Sequence, residues 1–240
     1  GNHGQSIGYA ARQHQIPCTV VVPHGNSVEK NAAMRSLGVK LVEYGDDFQE
    51  SLEHALELAE EDSLHFVPSF HPWLIAGVAT YSLELFNAVE NIHTVYVPIG
   101  LGSGICGMIA ARDALGLDTR IVGVVSAHAT AYSQSFRANR LVESPVSTLL
   151  ADGMACRTPQ AKALDIIGKG VDHMVEVSDG EVAAAMRMMF ECTHNTCEGA
   201  GAAALAAAWQ ERSEVSGRRI AVVASGGNVD RDVFAKVLGS

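Results

Sequence analysis

The sequence predicts an α/β fold in which short parallel strands alternate with helices. Three observations support this: β-branched runs recur along the chain, helical patterns separate them, and glycine-rich turns join the two. Strands separated by helices imply right-handed crossovers, with helices on both faces of a parallel sheet. At 240 residues, the chain can bury one large core or two modest ones.

The first 67 residues contain three predicted strands and two predicted helices. Pro17 and Pro23 bound the first β-branched run, and Gly38 has the character of a helix C-cap. In order, we predict a buried strand at Cys18–Val22, a helix at Ser27–Leu37, a strand at Val39–Tyr44, an amphipathic helix at Asp46–Glu61 and a strand at Leu64–Val67.

The rest of the chain continues the alternation, except over residues 126–158, where no regular pattern is evident. In order, we predict helix Ala76–Val89, strand Thr94–Ile99, helix Ile105–Leu115, strand Arg120–Val125, helix Pro159–Ile167, strand His173–Val177, helix Asp179–Glu191, helix Gly199–Arg212 and strand Arg219–Ala224.

The segment Thr94–Arg112 is typical of an anion site. A β-branched strand leads into Gly100, Leu101, Gly102, Ser103 and Gly104, and a helix follows. Glycines let such a turn fold tightly, so that backbone N–H groups and the positive end of the helix face one phosphate. This pattern predicts a ligand that carries a phosphate.

Two further polar turns, Gly1–Gln5 and Ser225–Asn228, either open a helix or follow a strand. Ligands of open parallel sheets bind beyond the carboxyl ends of the strands. The sequence therefore favours one ligand with a phosphate and a polar ring.

Five motifs occur in one order along the chain: GNHGQ, VPIGLGSGICG, LADGMA, EGAGA and SGGNVD. Together they resemble the fold-type II pyridoxal-phosphate enzymes of the tryptophan synthase beta-like superfamily. Within that group they are most similar to the threonine/serine dehydratase and serine racemase branch.

The resemblance implies a role for each turn. Asn2 would hydrogen-bond the phenolic oxygen of pyridoxal 5′-phosphate, and the Gly100–Gly104 loop would hold its phosphate. Ser225 would bind the pyridine nitrogen and leave the ring neutral. Gly1, Asn2 and His3 would bind the substrate carboxylate.

The sequence departs from the family pattern in three places. Leu101 and Ser103 interrupt a phosphate loop that is usually almost all glycine. Ser126 stands where many relatives carry an acidic ligand for a divalent cation, so we expect no metal site. The Schiff-base lysine of the family is expected upstream of Gly1, in an N-terminal segment that this chain lacks.

None of the five lysines has the sequence context of that catalytic lysine, and Lys30 and Lys40 are expected to be solvent-exposed. By analogy, residues 1–71 would form a small mobile domain, and residues 72–240 most of a large cofactor-binding domain. The family also suggests a homo-oligomer, either a dimer or a tetramer.

Composition excludes several other classes of protein. A net charge of −10, with 17 scattered Lys and Arg residues, argues against a nucleic-acid partner. No apolar run is long enough to span a bilayer. Five irregularly spaced cysteines do not suggest a disulfide framework, so we expect a cytoplasmic protein.

The resemblance implies β-elimination from a β-hydroxy amino acid such as threonine or serine, which gives a 2-oxo acid and ammonia. Racemase activity is a variant of this hypothesis. One alternative is an NAD(P)-binding oxidoreductase, since Gly102, Gly104 and Gly107 form a G-x-G-x-x-G pattern. The other is a non-catalytic fragment that binds pyridoxal phosphate or an amino acid.

Overall fold

Six strands form two separate parallel sheets in the computed structural model, which describes residues 1–239. The described chain divides into two units. The first comprises residues 1–69 together with those from Asn228 onward, and the second is Phe70–Gly227. The prediction placed residues from 228 onward with the second unit; the assignment of a small mobile and a large cofactor-binding domain stays a prediction.

The first unit contains the two-stranded sheet. Strands β1 (Thr19–Val22) and β2 (Lys40–Glu43) pair in parallel. Its helices are α1 (Asn2–Gln13), α2 (Val28–Ser36), α3 (Phe48–Glu61) and α10 (Arg231–Leu238). A small core of Val22, Met34 and Val39 holds the sheet against α2.

Side chains cap two of these helices at the N-termini that the sequence predicts to within two residues. The Ser27 hydroxyl accepts the Lys30 N–H, and the Asp47 carboxylate accepts the Glu50 N–H at 2.9 Å. Each cap satisfies a donor that the helix itself leaves without an acceptor.

The second unit contains a four-stranded parallel sheet with the strand order β5-β4-β3-β6. Its strands are β3 (Thr94–Pro98), β4 (Arg120–Ser126), β5 (His173–Val177) and β6 (Ile220–Val222). Its helices are α4 (Pro72–Ala88), α5 (Ser103–Ala114), α6 (Ala131–Ala138), α7 (Ala161–Gly170), α8 (Asp179–Thr193) and α9 (Gly199–Gln210).

Helices cover both faces of this sheet, as the sequence predicts. Val95, Val97 and Ile121 pack in one core with side chains from α5 and α7. The intervening residues, including Tyr96 and Val122, are equally buried, and α9 contacts this sheet. Nine buried Gly and Ala residues line α9, so that its backbone lies close to its neighbours.

Three predictions about the elements are wrong. Leu64–Val67 forms no strand, because these residues pair with no neighbouring strand and follow α3 as irregular chain. Cys18–Val22 is only partly buried, since its sheet has just two strands. Lys30 is 3% exposed rather than solvent-exposed, because it lies on the buried face of α2 with Met34.

Helices α6 and α10 were not predicted, and residues 2–5, predicted as part of a turn, already belong to α1. None of the helices within residues 1–239 is both long enough and apolar enough to cross a membrane.

Candidate functional site

The turn between β3 and α5 has the geometry of an anion site. Gly102 is the N-cap of α5 and has a φ of +98°, in the left-handed region that glycine adopts without strain. Within the described chain, no side chain caps this helix, and its first turn carries no acidic residue. The positive end of α5 is therefore suited to an anionic ligand.

Leu101 interrupts the glycines of this turn without filling it. Its side chain packs against the main core of the second unit, as do the side chains of Tyr81 and Phe136. Ser103, the other interruption, is the first residue of α5 and is half-buried. Neither departure from the all-glycine pattern conflicts with a phosphate at the helix terminus, so the residues present fit the phosphate of the expected cofactor.

Ser225 lies at the same edge of the sheet as the phosphate loop. β6 pairs with β3 in parallel, and the Val223 N–H donates to the Tyr96 carbonyl just beyond the ladder. The turns after the two strands therefore leave neighbouring carboxyl ends. The Ser225 side chain is exposed and can offer a hydroxyl to a ligand at this edge.

The loops at this edge approach one another closely where a glycine of one lies against a backbone carbonyl group of another. A Cβ on Gly100 would lie 2.3 Å from the Gly153 carbonyl oxygen, and one on Gly201 would lie 2.1 Å from that of Gly226. A Cβ on Gly199 would likewise meet the Leu150 carbonyl oxygen at 2.2 Å. The phosphate loop, the LADGMA segment, the start of α9 and the Ser225 turn thus share one tightly packed layer.

The remaining predicted site residues, Gly1, Asn2 and His3, belong to the first unit, where Gly1 is the N-cap of α1. The Asn228 amide Nδ2 donates to the Asn2 Oδ1 at 2.9 Å, which orients the Asn2 side chain. Burial lowers the pKa of His3, and a hydrogen bond with the Val67 backbone offsets only part of this effect. Burial therefore favours the neutral form of His3.

The end of β4 carries Ser126 in place of an acidic residue. A divalent-cation site and a dinucleotide site would each require an acidic side chain at this place. Ser126 is fully buried, and its hydroxyl accepts the His128 N–H at 3.1 Å. A dinucleotide site of the G-x-G-x-x-G type needs an acid at this place for the ribose. In the described residues, no group of three His, Cys, Asp or Glu side chains could hold a metal ion.

Three residues that contact predicted site residues were not singled out by the sequence. Tyr132 donates a hydrogen bond to the phosphate loop, Gly153 packs on Gly100, and Asn228 holds Asn2. Gly153 and Asn228 lie in motifs that the sequence identified. A lone tyrosine in an irregular stretch gives no comparable signal.

The chain matches the family model described as "Pyridoxal-phosphate dependent enzyme" over residues 1–226. It is 32% identical over 239 residues to the L-threonine ammonia-lyase of Thermotoga maritima, a match that covers 99% of this chain and 59% of that protein. It is 35% identical over 240 residues to the L-threonine ammonia-lyase of Geobacter sulfurreducens, covering 99% of this chain and 60% of that protein.

Solved structures agree with these relatives. The processed form of threonine deaminase isoform 2 from Solanum lycopersicum superposes with a TM-score of 0.90 at 30% identity, covering 100% of this chain and 71% of that one. Maize serine racemase gives a TM-score of 0.90 at 26% identity, covering 100% of this chain and 74% of that one. These likenesses confirm the predicted fold class.

The chain spans about three fifths of the length of the two bacterial relatives. The lysine expected upstream of Gly1 concerns residues outside this chain and stays a prediction.

Proposed function

Because the chain belongs to the pyridoxal-phosphate-dependent enzyme family, we propose that it takes part in the deamination of a β-hydroxy amino acid such as threonine or serine. Family membership confirms pyridoxal 5′-phosphate as the cofactor expected from the resemblance. The substrate class is supported by the two relatives named L-threonine ammonia-lyase, each of which aligns with 99% of this chain.

The main support for the proposal is the N-terminus of α5, which follows Gly102 and has no side-chain cap. A phosphate there would meet backbone donors and the positive helix end, with no acidic side chain in the first turn to repel it. In the proposed site the phosphate is held by Gly100, Leu101, Gly102, Ser103 and Gly104.

Two further residues would orient the cofactor. The Ser225 hydroxyl would hydrogen-bond the pyridine nitrogen and, as a neutral group, would leave that nitrogen uncharged. The Asn2 side chain, held by Asn228, would hydrogen-bond the phenolic oxygen. Gly1, Asn2 and His3 would bind the substrate carboxylate.

Bound pyridoxal phosphate supplies an electron sink that makes the Cα proton of an amino acid removable. The residues of this chain contribute binding and orientation. Loss of the β-hydroxyl as water, followed by hydrolysis of the product, would give a 2-oxo acid and ammonia. A neutral ring nitrogen, as Ser225 would maintain, favours prompt elimination over transamination.

The proposed reaction is tested by incubating the protein, as its gene encodes it, with pyridoxal phosphate and either L-threonine or L-2-aminobutyrate. The second compound is the first without its β-hydroxyl. Elimination predicts 2-oxo acid and ammonia from threonine and none from 2-aminobutyrate. Equal release from both would contradict elimination and favour oxidative deamination.

L-Serine in the same assay, with chiral detection of D-serine, distinguishes dehydratase from racemase activity. Binding of the cofactor without turnover of any of these substrates would favour the non-catalytic alternative.

The oligomeric state and the cellular location of the protein are also proposals. The family resemblance supports a dimer or tetramer, and light scattering after gel filtration would measure it. The five cysteines are free in the structure, which agrees with a reducing cytoplasm.

A further inference from the structure

The Tyr132 hydroxyl lies between the phosphate loop and the start of α7. It donates to the Leu101 carbonyl at 2.7 Å and accepts the Gln160 N–H at 3.1 Å. The residue is only 1% exposed. Burial raises the pKa of Tyr132 far above its usual range, so the hydroxyl keeps its proton.

The direction of the hydroxyl proton follows from its two partners. The Gln160 N–H can only donate, so it occupies a lone pair of the phenolic oxygen. The carbonyl of Leu101 can only accept, and it therefore receives the hydroxyl proton.

Fixing this carbonyl also fixes an N–H group. The peptide between Leu101 and Gly102 is planar and trans, so its N–H points opposite to its C=O. The Leu101 carbonyl faces Tyr132, and the Gly102 N–H consequently faces away from Tyr132. Gly102 is the residue immediately before the first turn of α5.

Packing leaves this peptide little freedom to move toward the core. A Cβ on Gly102 would lie 2.8 Å from the Ala163 Cβ and 3.2 Å from the Tyr132 hydroxyl oxygen. A side chain at position 102 would force these neighbours to shift, and the positive φ of 98° is strained for residues other than glycine.

We propose that Tyr132 is a positioning residue for cofactor binding, whose hydroxyl orients the Leu101–Gly102 peptide so that its N–H serves the cofactor phosphate. This inference rests on the proposed function. It deepens that function by assigning a role to a residue outside the five family motifs.

The test compares Tyr132→Phe with the wild-type protein, as its gene encodes it, in titrations with pyridoxal 5′-phosphate and with pyridoxal, which lacks the phosphate. The variant should bind pyridoxal phosphate about tenfold more weakly. Its affinity for pyridoxal should stay within about twofold of wild type, because pyridoxal lacks the phosphate that this peptide is proposed to bind.

Tyr96→Phe is the matched control. Tyr96 is 0% exposed and its hydroxyl donates to Glu211 at 2.7 Å, so the same atom is lost from an equally buried ring of the same unit. This control should leave both affinities unchanged, even if it lowers stability.

Gln160→Pro provides a second variant that keeps the tyrosine. Gln160 is the N-cap of α7 with a φ of −77°, which a proline ring can adopt. The substitution removes the N–H that the Tyr132 hydroxyl accepts, together with the glutamine side chain. The Tyr132 hydroxyl then loses one of its two hydrogen-bond partners and is held only by the Leu101 carbonyl. We expect a loss of about threefold for pyridoxal phosphate alone.

Each outcome separates the inference from the proposed function. Equal losses for both ligands, or no loss for either, in Tyr132→Phe and Gln160→Pro would overturn the role of Tyr132. A wild-type protein that binds pyridoxal as tightly as pyridoxal phosphate would instead overturn the phosphate site itself, and the inference with it.

Discussion

The carbonyl oxygen of Gly153 occupies the space that a side chain at Gly100 would need. A Cβ at position 100 would lie 2.3 Å from that oxygen, closer than any real Cβ contact. The phosphate loop is therefore in direct backbone contact with the LADGMA segment. Sequence motifs that stand fifty residues apart form one layer at the edge of the sheet.

This contact predicts that Gly100→Ala destabilises the protein and distorts the loop. We expect a loss of about 1–3 kcal/mol in the free energy of unfolding, because the backbone must shift to admit the methyl group. Urea denaturation would measure it. Gly168→Ala in α7 is the control, since nothing lies within 4 Å of its Cβ. It should be neutral or stabilising by up to about 1 kcal/mol, and equal losses in both variants would contradict the argument.

Ser225→Ala should weaken the binding of pyridoxal phosphate about fivefold, the effect of one neutral hydrogen bond. Because the side chain is exposed, the protein's stability should not change. Ser213→Ala, an equally exposed serine of the same unit, is the control. An unchanged dissociation constant for Ser225→Ala would remove Ser225 from the proposed site.

Asp230 is predicted to stabilise the N-terminus of α2. Its carboxylate accepts the Ser27 hydroxyl and the Val28 N–H, the latter at 3.2 Å. Asp230→Ala should therefore lower the free energy of unfolding by about 0.5–2 kcal/mol, as the loss of a helix cap does.

The control for Asp230→Ala is Asp232→Ala. Asp232 forms an ion pair with its neighbour Arg231, and both side chains are 85% exposed, so its removal should have little effect. Thermal unfolding of both variants would check this, and an equal shift in the two midpoints would refute the capping role.

A cluster of charged side chains predicts that stability depends on pH. His173 contacts Asp172 through Nδ1 at 2.8 Å and Glu211 through Nε2 at 2.6 Å. Burial lowers the pKa of His173, but its hydrogen bonds with these two carboxylates outweigh burial, and the net direction is upward. Arg120, followed by His173, holds the pKa of Asp172 well below its usual range.

The direction of the pH effect on stability follows from the pKa of His173 in the folded and in the unfolded state. The histidine has the higher pKa in the folded state, so its contribution is complete below about pH 6.5. This contribution of His173 to the free energy of unfolding is lost as the pH rises through the pKa that His173 has in the folded state. Urea titrations at pH 6 and pH 9 should show a smaller pH effect for His173→Gln than for wild type. The exposed His14→Gln is the control, and an unchanged pH effect in His173→Gln would contradict the prediction.

The sequence predicted the four strands of the second unit and the turn at Gly100–Gly104 because local patterns determine both. β5 has the predicted bounds His173–Val177, and α5 begins two residues before its predicted start. Where burial depends on distant partners, the sequence was a poorer guide. Leu64–Val67 has strand-like composition but no neighbouring strand, and Lys30 is buried by the face of α2 that it shares with Met34.

The contacts that hold the predicted site residues within each unit could not be predicted for the same reason. The Tyr132 hydroxyl reaches Leu101 across thirty-one positions of sequence, and Asn228 reaches Asn2 across 226. A single polar side chain gives no periodic signal, and only the fold brings these pairs together.

The central claim is that the N-terminus of α5 binds the phosphate of the cofactor, and a charge placed there tests it most directly. Ser103 is the first residue of α5, a position where glutamate stabilises a helix through its dipole. Ser103→Glu should therefore preserve the stability of the protein while its carboxylate repels the phosphate.

The deciding measurement is the dissociation constant of pyridoxal phosphate for Ser103→Glu relative to that for Ser103→Gln, which has nearly the same shape and no charge. Repulsion at close range predicts a ratio of about one hundred or more. A ratio near one would show that the phosphate binds elsewhere and would contradict the account.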